Sequence, residues 1–182
     1  MANITFILGG SRSGKSAHGQ AMAEAVAGSR IYLATCPVVD EEMAARIQKH
    51  REQREASRWQ TVEETLDLAG ALSATHGSDV RLVDCLTLWI NNLLYEAEKQ
   101  NREVTEGDVA RLCADILAVC AGLPGDVIFI ANEVGMGVVP DNPLARRFRD
   151  LAGRCNQVMA SGADRVMLMI CGLPLVVKGR PL

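Results

Sequence analysis

Neither charge, nor paired cysteines, nor long apolar runs give this chain an obvious macromolecular partner. Lys and Arg number 19 against 22 Asp and Glu, a formal net charge of −3. No general electrostatic pull toward nucleic acid or an acidic membrane surface follows, so any anion site must be local. The cysteines, Cys36, Cys85, Cys113, Cys120, Cys155 and Cys171, include no CxxC pair. They read as small apolar residues in or near the core rather than as disulfides or metal ligands. The N-terminal MANITFILGG lacks the basic start and long apolar stretch of a secretion signal, and no apolar run approaches the roughly 20 residues that cross a bilayer. The expectation is a reduced, cytoplasmic protein with no nucleic-acid partner and no stable membrane insertion. No internal repeat or low-complexity linker is visible, and 182 residues suit one core better than two. Residues 1–182 are therefore expected to form a single domain.

What is present is an alternation. Short apolar runs at Ile4–Leu8, Ile31–Ala34, Val80–Val83, Val127–Ala131 and Val166–Ile170 read as buried strands. Helix-like stretches lie between them, at about Lys15–Ala27, Glu41–Arg54, Thr65–Ala74, Leu86–Glu98, Glu106–Ala121 and Pro143–Ser161. Parallel strands need long crossovers, and the crossover helices must bury their apolar sides. The pattern predicts an α/β fold with a mainly parallel sheet and helices on both faces. The tail Leu173–Lys178 follows Gly172 closely and is expected to return as a C-terminal antiparallel edge strand.

Residues Gly9, Gly10, Ser11, Arg12, Ser13, Gly14, Lys15 and Ser16 spell GGSRSGKS, a full match to the phosphate-loop pattern GxxxxGK[ST]. The string follows an apolar strand and opens a helix, where backbone N–H groups and the positive helix end can wrap a polyphosphate. A P-loop NTPase fold is expected. Lys15 would neutralise the outer phosphates, and the Ser16 hydroxyl would help hold Mg²⁺. Asp84, ending a buried strand, is the candidate second metal carboxylate. Its competing explanation is an N-cap for the helix beginning at Leu86.

A second constellation sits in ARIQKHREQR. Arg46, His50 and Arg54 fall on one face at helical spacing, which would set guanidinium groups one turn to either side of an imidazole. A cationic setting favours the neutral ring, the form with a lone pair able to attack phosphorus, and the arginines would stabilise charge on the transferred phosphate. Read alone, such a charged run is a solvated helix face.

Three blocks together, GGSRSGKS at Gly9–Ser16, ATCPVVDEEMAARIQKHREQR at Ala34–Arg54 and NEVGMGVVP at Asn132–Pro140, resemble the bifunctional adenosylcobinamide kinase and adenosylcobinamide-phosphate guanylyltransferase family of cobalamin biosynthesis. The flanking DCLTLWINNLL and RRFRDLAGRCNQ also fit. The resemblance implies ATP- or GTP-dependent phosphorylation of adenosylcobinamide. Transfer of GMP from GTP to adenosylcobinamide phosphate would follow, through a GMP-histidine intermediate, giving adenosyl-GDP-cobinamide and pyrophosphate. The position matching that histidine is His50. By the same resemblance Gly9–Ser16 hold the triphosphate, while Ala34, Thr35, Cys36, Arg51, Glu52, Gln53, Arg54, Glu63 and Asp84 line the guanine nucleotide site. Mg²⁺ is the implied metal and a homotrimer the implied assembly. Glu133 in NEVGMGVVP could place metal or substrate, or simply belong to a strand-to-helix turn. A one-step small-molecule kinase, with Arg146, Arg147 and Arg149 as a closing lid, and a nucleotide-dependent switch acting through partners are the alternatives that the phosphate loop alone permits.

Overall fold

In chain order the strands are β1 (Asn3–Gly9), β2 (Arg30–Ala34), β3 (Trp59–Glu63), β4 (Val80–Asp84), β5 (Asp126–Asn132), β6 (Arg165–Ile170) and β7 (Leu173–Lys178). They form one seven-stranded sheet in the order β3-β2-β4-β5-β1-β6-β7. All neighbours run parallel except β6 and β7, which pair antiparallel with Ile170 opposite Leu173. The computed structural model describes residues 1–37 and 59–180. The helices it describes are α1 (Lys15–Ala25), α2 (Leu68–Ala74), α3 (Leu86–Lys99), α4 (Glu106–Gly122) and α5 (Pro143–Gly162). The helix expected over 41–54 lies outside the described residues.

Side chains on a strand alternate between faces, and the core divides accordingly. Val127, Phe129 and Ala131 of β5 join a large cluster with Leu72 of α2, Trp89 of α3, Ile116 of α4 and Met159 of α5. Ile128 and Ile130, on the other face, join a smaller cluster with Ala23 of α1. Helices thus cover both faces, as the alternating pattern predicts. Gly19 makes the close seat of α1 possible: a Cβ there would stand 3.0 Å from Ile130 Cδ1 and 3.2 Å from Leu82 Cδ1.

An unexpected strand and a late helix start are the main departures from the sequence expectation. β3 was not expected, because WQTVE is neither continuously apolar nor cleanly alternating. It is an edge strand with only Trp59 buried, and pairing with β2, residue for residue from Arg30–Trp59 to Ala34–Glu63, decides its conformation. α2 starts at Leu68 rather than near Thr65. Glu64 Oε1 accepts from the N–H groups of Leu66 and Asp67 (2.7 and 2.9 Å), and Asp67 then caps the helix by accepting from Gly70 N (2.9 Å). Those side-chain acceptors satisfy the chain in a turn before the helix can begin.

At the opposite end of the sheet from the phosphate loop, Arg81 is fully buried. It donates to Thr75 Oγ1 (2.9 Å), Thr75 O (2.5 Å) and Pro124 O (2.7 Å), tying the end of α2 to the entry of β5. Nearby, Ser29 N and Ser29 Oγ both donate to Asp79 Oδ2 at 2.8 Å. The backbone bond first, then the hydroxyl bond, hold the Asp79 carboxyl below its ordinary value of 3.8. A carboxyl whose folded value is depressed contributes stability that is complete above the unfolded value and lost as pH falls through the folded one. Asp79→Asn is therefore expected to lower the Tm at neutral pH and to flatten the acid limb of the Tm profile. Melts from about pH 7 to about pH 2 should show variant and wild type converging at the acid end; parallel profiles would contradict the assignment.

Candidate functional site

All the parallel strands end at one edge, where open α/β sheets bind ligands. β1 delivers Gly9 there, and the chain turns through Gly10–Gly14 into α1. Gly14 is the N-cap of α1 with φ 90°, no side-chain cap bonds the first turn, and that turn carries no acidic residue. The N–H groups of the first turn and the positive helix end are thus left for an anion. Lys15 is buried at 9% exposure, and its Nζ lies over the loop, donating to Gly10 O at 3.0 Å. Ser16 is exposed at the first turn. Ser11 and Arg12 form the exposed tip, Arg12 with φ 57°. Gly9 is required for packing rather than for a special backbone angle. A Cβ there would collide with Ser13 Oγ and approach Met169 O to 2.9 Å.

Ala34, Thr35, Cys36, Glu63 and Asp84 come together at the same edge, spread across neighbouring strands. In register, Ala34 of β2 stands between Glu63 of β3 and Asp84 of β4, while β5 separates β4 from β1. From β2 to β1 is three strand spacings, about 14 Å, so these residues and the phosphate loop form a trough rather than a point. Asp84 is half-buried and accepts from Tyr32 Oη at 3.0 Å. Its competing role as a helix cap is overturned, since the N-cap of α3 is Cys85, which itself makes no side-chain cap bond. Glu63 ends β3 with its side chain exposed. His50, Arg51, Glu52, Gln53 and Arg54, together with Arg46, lie outside the described residues.

Thr35 takes a different place from the one its sequence block suggests. Its side chain is fully buried; its hydroxyl donates to Cys85 O and accepts from Cys85 N, both at 2.8 Å. Its carbonyl accepts from Asn92 Nδ2 at 2.8 Å. With every polar group engaged inside the protein, Thr35 clasps the ends of β2 and β4 and sets where Ala34 and Cys36 emerge. Cys36 is half-buried, and its thiol donates to Pro37 O at 3.6 Å.

Sequence reasoning missed a clamp beside the phosphate loop. Thr87 Oγ1, in the first turn of α3, accepts from Asn132 N at 2.6 Å, and Asn156 Nδ2 of α5 donates to Asn132 O at 3.3 Å. The next residue, Glu133, donates its N–H to Gly9 O at 3.1 Å, so the end of β5 is fixed against the loop. Glu133 Oε1 accepts from Gly135 N at 2.8 Å, which makes it part of the strand-to-helix turn. The readable signal was a buried Asn in an amphipathic helix, Asn156, since buried amides sit where they have partners.

Cys85, next to Asp84, is held as the neutral thiol. Burial first, then the Asp84 charge, push the Cys85 thiol up to about 11, against a smaller opposing effect of Lys15. Cys113, Cys120 and Cys155 are buried as expected for core residues, whereas Cys171 is exposed. Among the described residues no cluster of three or more His, Cys, Asp or Glu could hold a metal, and no helix is long and apolar enough to cross a membrane.

A family model described as cobinamide kinase / cobinamide phosphate guanyltransferase matches residues 5–177. A bifunctional adenosylcobalamin biosynthesis protein of Pseudomonas aeruginosa is 42% identical over 178 residues, covering 97% of this chain and 98% of its own. The correspondingly named protein of Escherichia coli is 37% identical over 185 residues, with 96% and 99% covered. Among solved structures, an ATPase from the type III secretion system of pathogenic bacteria superposes with a TM-score of 0.58 at 12% identity. The match covers 91% of this chain and half (50%) of that one, a likeness of fold alone.

Proposed function

This chain belongs to the cobinamide kinase / cobinamide phosphate guanyltransferase family, and on that footing we propose that a single nucleotide trough, running from the phosphate loop to the ends of β2 and β3, serves both of its reactions. The protein is a bifunctional enzyme of adenosylcobalamin biosynthesis. It phosphorylates adenosylcobinamide and transfers GMP to the resulting phosphate. The observation that carries the shared site is the uncapped start of α1 with Lys15 folded over the loop, in line with Ala34 and Asp84 along one sheet edge.

In the kinase step the acceptor hydroxyl oxygen attacks the γ-phosphorus of ATP or GTP. The bond to the β-phosphate oxygen breaks, the nucleoside diphosphate leaves and the hydroxyl proton is lost. Lys15 and the first-turn N–H groups hold charge on the phosphate oxygens as it redistributes. In the second reaction an imidazole nitrogen of His50 attacks the α-phosphorus of GTP and pyrophosphate leaves. An oxygen of adenosylcobinamide phosphate then displaces the histidine, so the second P–O bond forms as the P–N bond breaks. Splitting the transfer conserves the activated GMP bond between the two displacements. Arg51 and Arg54, with Ala34, Cys36 and Glu63, are proposed to receive the guanosine part, and Thr35 to position Ala34 and Cys36.

The donors present suit Mg²⁺. The Ser16 hydroxyl and the Asp84 carboxylate are hard oxygen ligands, and Mg²⁺ takes one or two such groups with phosphate oxygens and water rather than an all-protein cage. The ion would neutralise phosphate charge. A homotrimer is the proposed assembly.

One assay tests the reading. Purified protein with adenosylcobinamide, Mg²⁺ and either GTP or ATP is expected to give adenosylcobinamide phosphate. GTP is then expected to give adenosyl-GDP-cobinamide with release of one pyrophosphate per GMP transferred. Nucleoside diphosphate release with no pyrophosphate in the presence of GTP would reduce the protein to a kinase and remove the second half of the proposal.

A further inference from the structure

We infer that the β6–β7 turn, through Gly172, is a positioning element of the phosphate loop, although it lies some 160 residues away in sequence. Ile170 pairs with Leu173, leaving a two-residue turn of Cys171 and Gly172 with φ 52° and 83°. Positive φ at both central residues is the type I′ hairpin, whose twist matches the strands it joins. That hairpin does more than reverse the chain. Gly172 N donates to Ser13 O at 3.0 Å, and a Cβ on Gly14 would stand 3.3 Å from Gly172 Cα. At the loop's other end, Gly9 is paired with Met169 of the same hairpin. Both ends of the phosphate loop therefore rest on β6 and its turn.

Peptide planarity gives this contact its consequence. In a trans peptide the C=O and the following N–H point in opposite directions. Anchoring the Ser13 carbonyl on Gly172 fixes the Ser13–Gly14 plane and turns Gly14 N–H away from the hairpin, the orientation in which it can face a bound phosphate. The turn thus sets the direction of a loop N–H before nucleotide arrives, and preorganised donors stabilise transferring charge without reorganisation. Ser13 cannot do this for itself. Its hydroxyl is buried with no hydrogen-bond partner among the described residues, so the carbonyl bond is the contact the turn supplies. Gly172 has open space where a Cβ would go; only its backbone angle constrains it.

Gly172→Val and Gly172→Asn separate angle from bulk, because a β-branched residue resists positive φ whereas Asn tolerates it. Gly179→Ala is the control for loss of hairpin stability. It lies beyond the far end of β7 with φ 89°, and its Cβ would stand 2.7 Å from Asp164 O, away from the loop. The inference rests on the phosphate loop being the nucleotide site, which Lys15→Ala tests separately in the same titration. Nucleotide Kd by calorimetry and Tm without nucleotide are measured for each. Gly172→Val is expected to raise the Kd roughly tenfold with Gly172→Asn near wild type, while Gly179→Ala lowers Tm without moving the Kd. Wild-type affinity in Gly172→Val, or equal loss of affinity in Gly172→Val and Gly179→Ala, would overturn the positioning role. Undiminished binding by Lys15→Ala would instead overturn the site itself.

Discussion

Incubated with Mg²⁺ and GTP labelled at the α-phosphate, His50→Ala is expected to take up no covalent label and to lose GMP transfer by about a factor of 10³ or more. Wild-type protein should carry an acid-labile, base-stable label, the signature of phosphorus bonded to nitrogen. Removing the nucleophile removes the path through the intermediate, and the acceptor phosphate would have to displace pyrophosphate from the α-phosphorus of GTP directly. The kinase step needs no covalent enzyme intermediate, so adenosylcobinamide phosphate should still accumulate in the variant. Equal labelling of His50→Ala and wild type would show that the imidazole is the wrong group. Loss of both activities together with retained labelling would point the same way.

The second large effect is expected at Lys15. Lys15→Ala should lower kcat/KM for both reactions by about 10²–10³, because in the proposed single trough one ammonium serves the triphosphate in each. The wild-type ammonium is held at 3.0 Å from Gly10 O within the loop, and the stem is buried, so the charge is already placed where phosphate oxygens would arrive. Lys15→Arg is expected to rescue little, since a planar fork does not replace a compact ammonium inside a tight loop. Steady-state rates for each half-reaction, with a melt to verify folding, check this. A loss confined to one reaction would break the single-trough proposal into two nucleotide sites.

How much of this was legible in the sequence varies by element. The strand, loop and helix from β1 to α1 read directly, because their signals are local: a run of apolar residues, glycines where side chains cannot fit, and a helix that follows. The paired faces of the sheet also read correctly, since apolar periodicity reports burial. β3 did not, for an edge strand takes its conformation from its neighbour and needs few apolar residues of its own. For Asp84 the sequence left two explanations open, a metal carboxylate and the cap of α3; the fold removes the second by starting the helix one residue later, with Cys85 at its N-cap. Thr35 was grouped with nucleotide residues by its block, yet its hydroxyl is spent on Cys85, 50 residues away.

By itself the sequence determined the α/β class, the phosphate loop and the family, since each depends on short-range pattern or on blocks kept in order. The tertiary structure alone decided which strand ends share one edge, that Thr87 and Asn156 clamp Asn132 beside the loop, and that the β6–β7 turn supports Ser13 and Gly14. Those facts depend on strand order and on hydrogen bonds between groups far apart along the chain. Closing such distances is a property of the whole packed sheet, and no local pattern of residues encodes it.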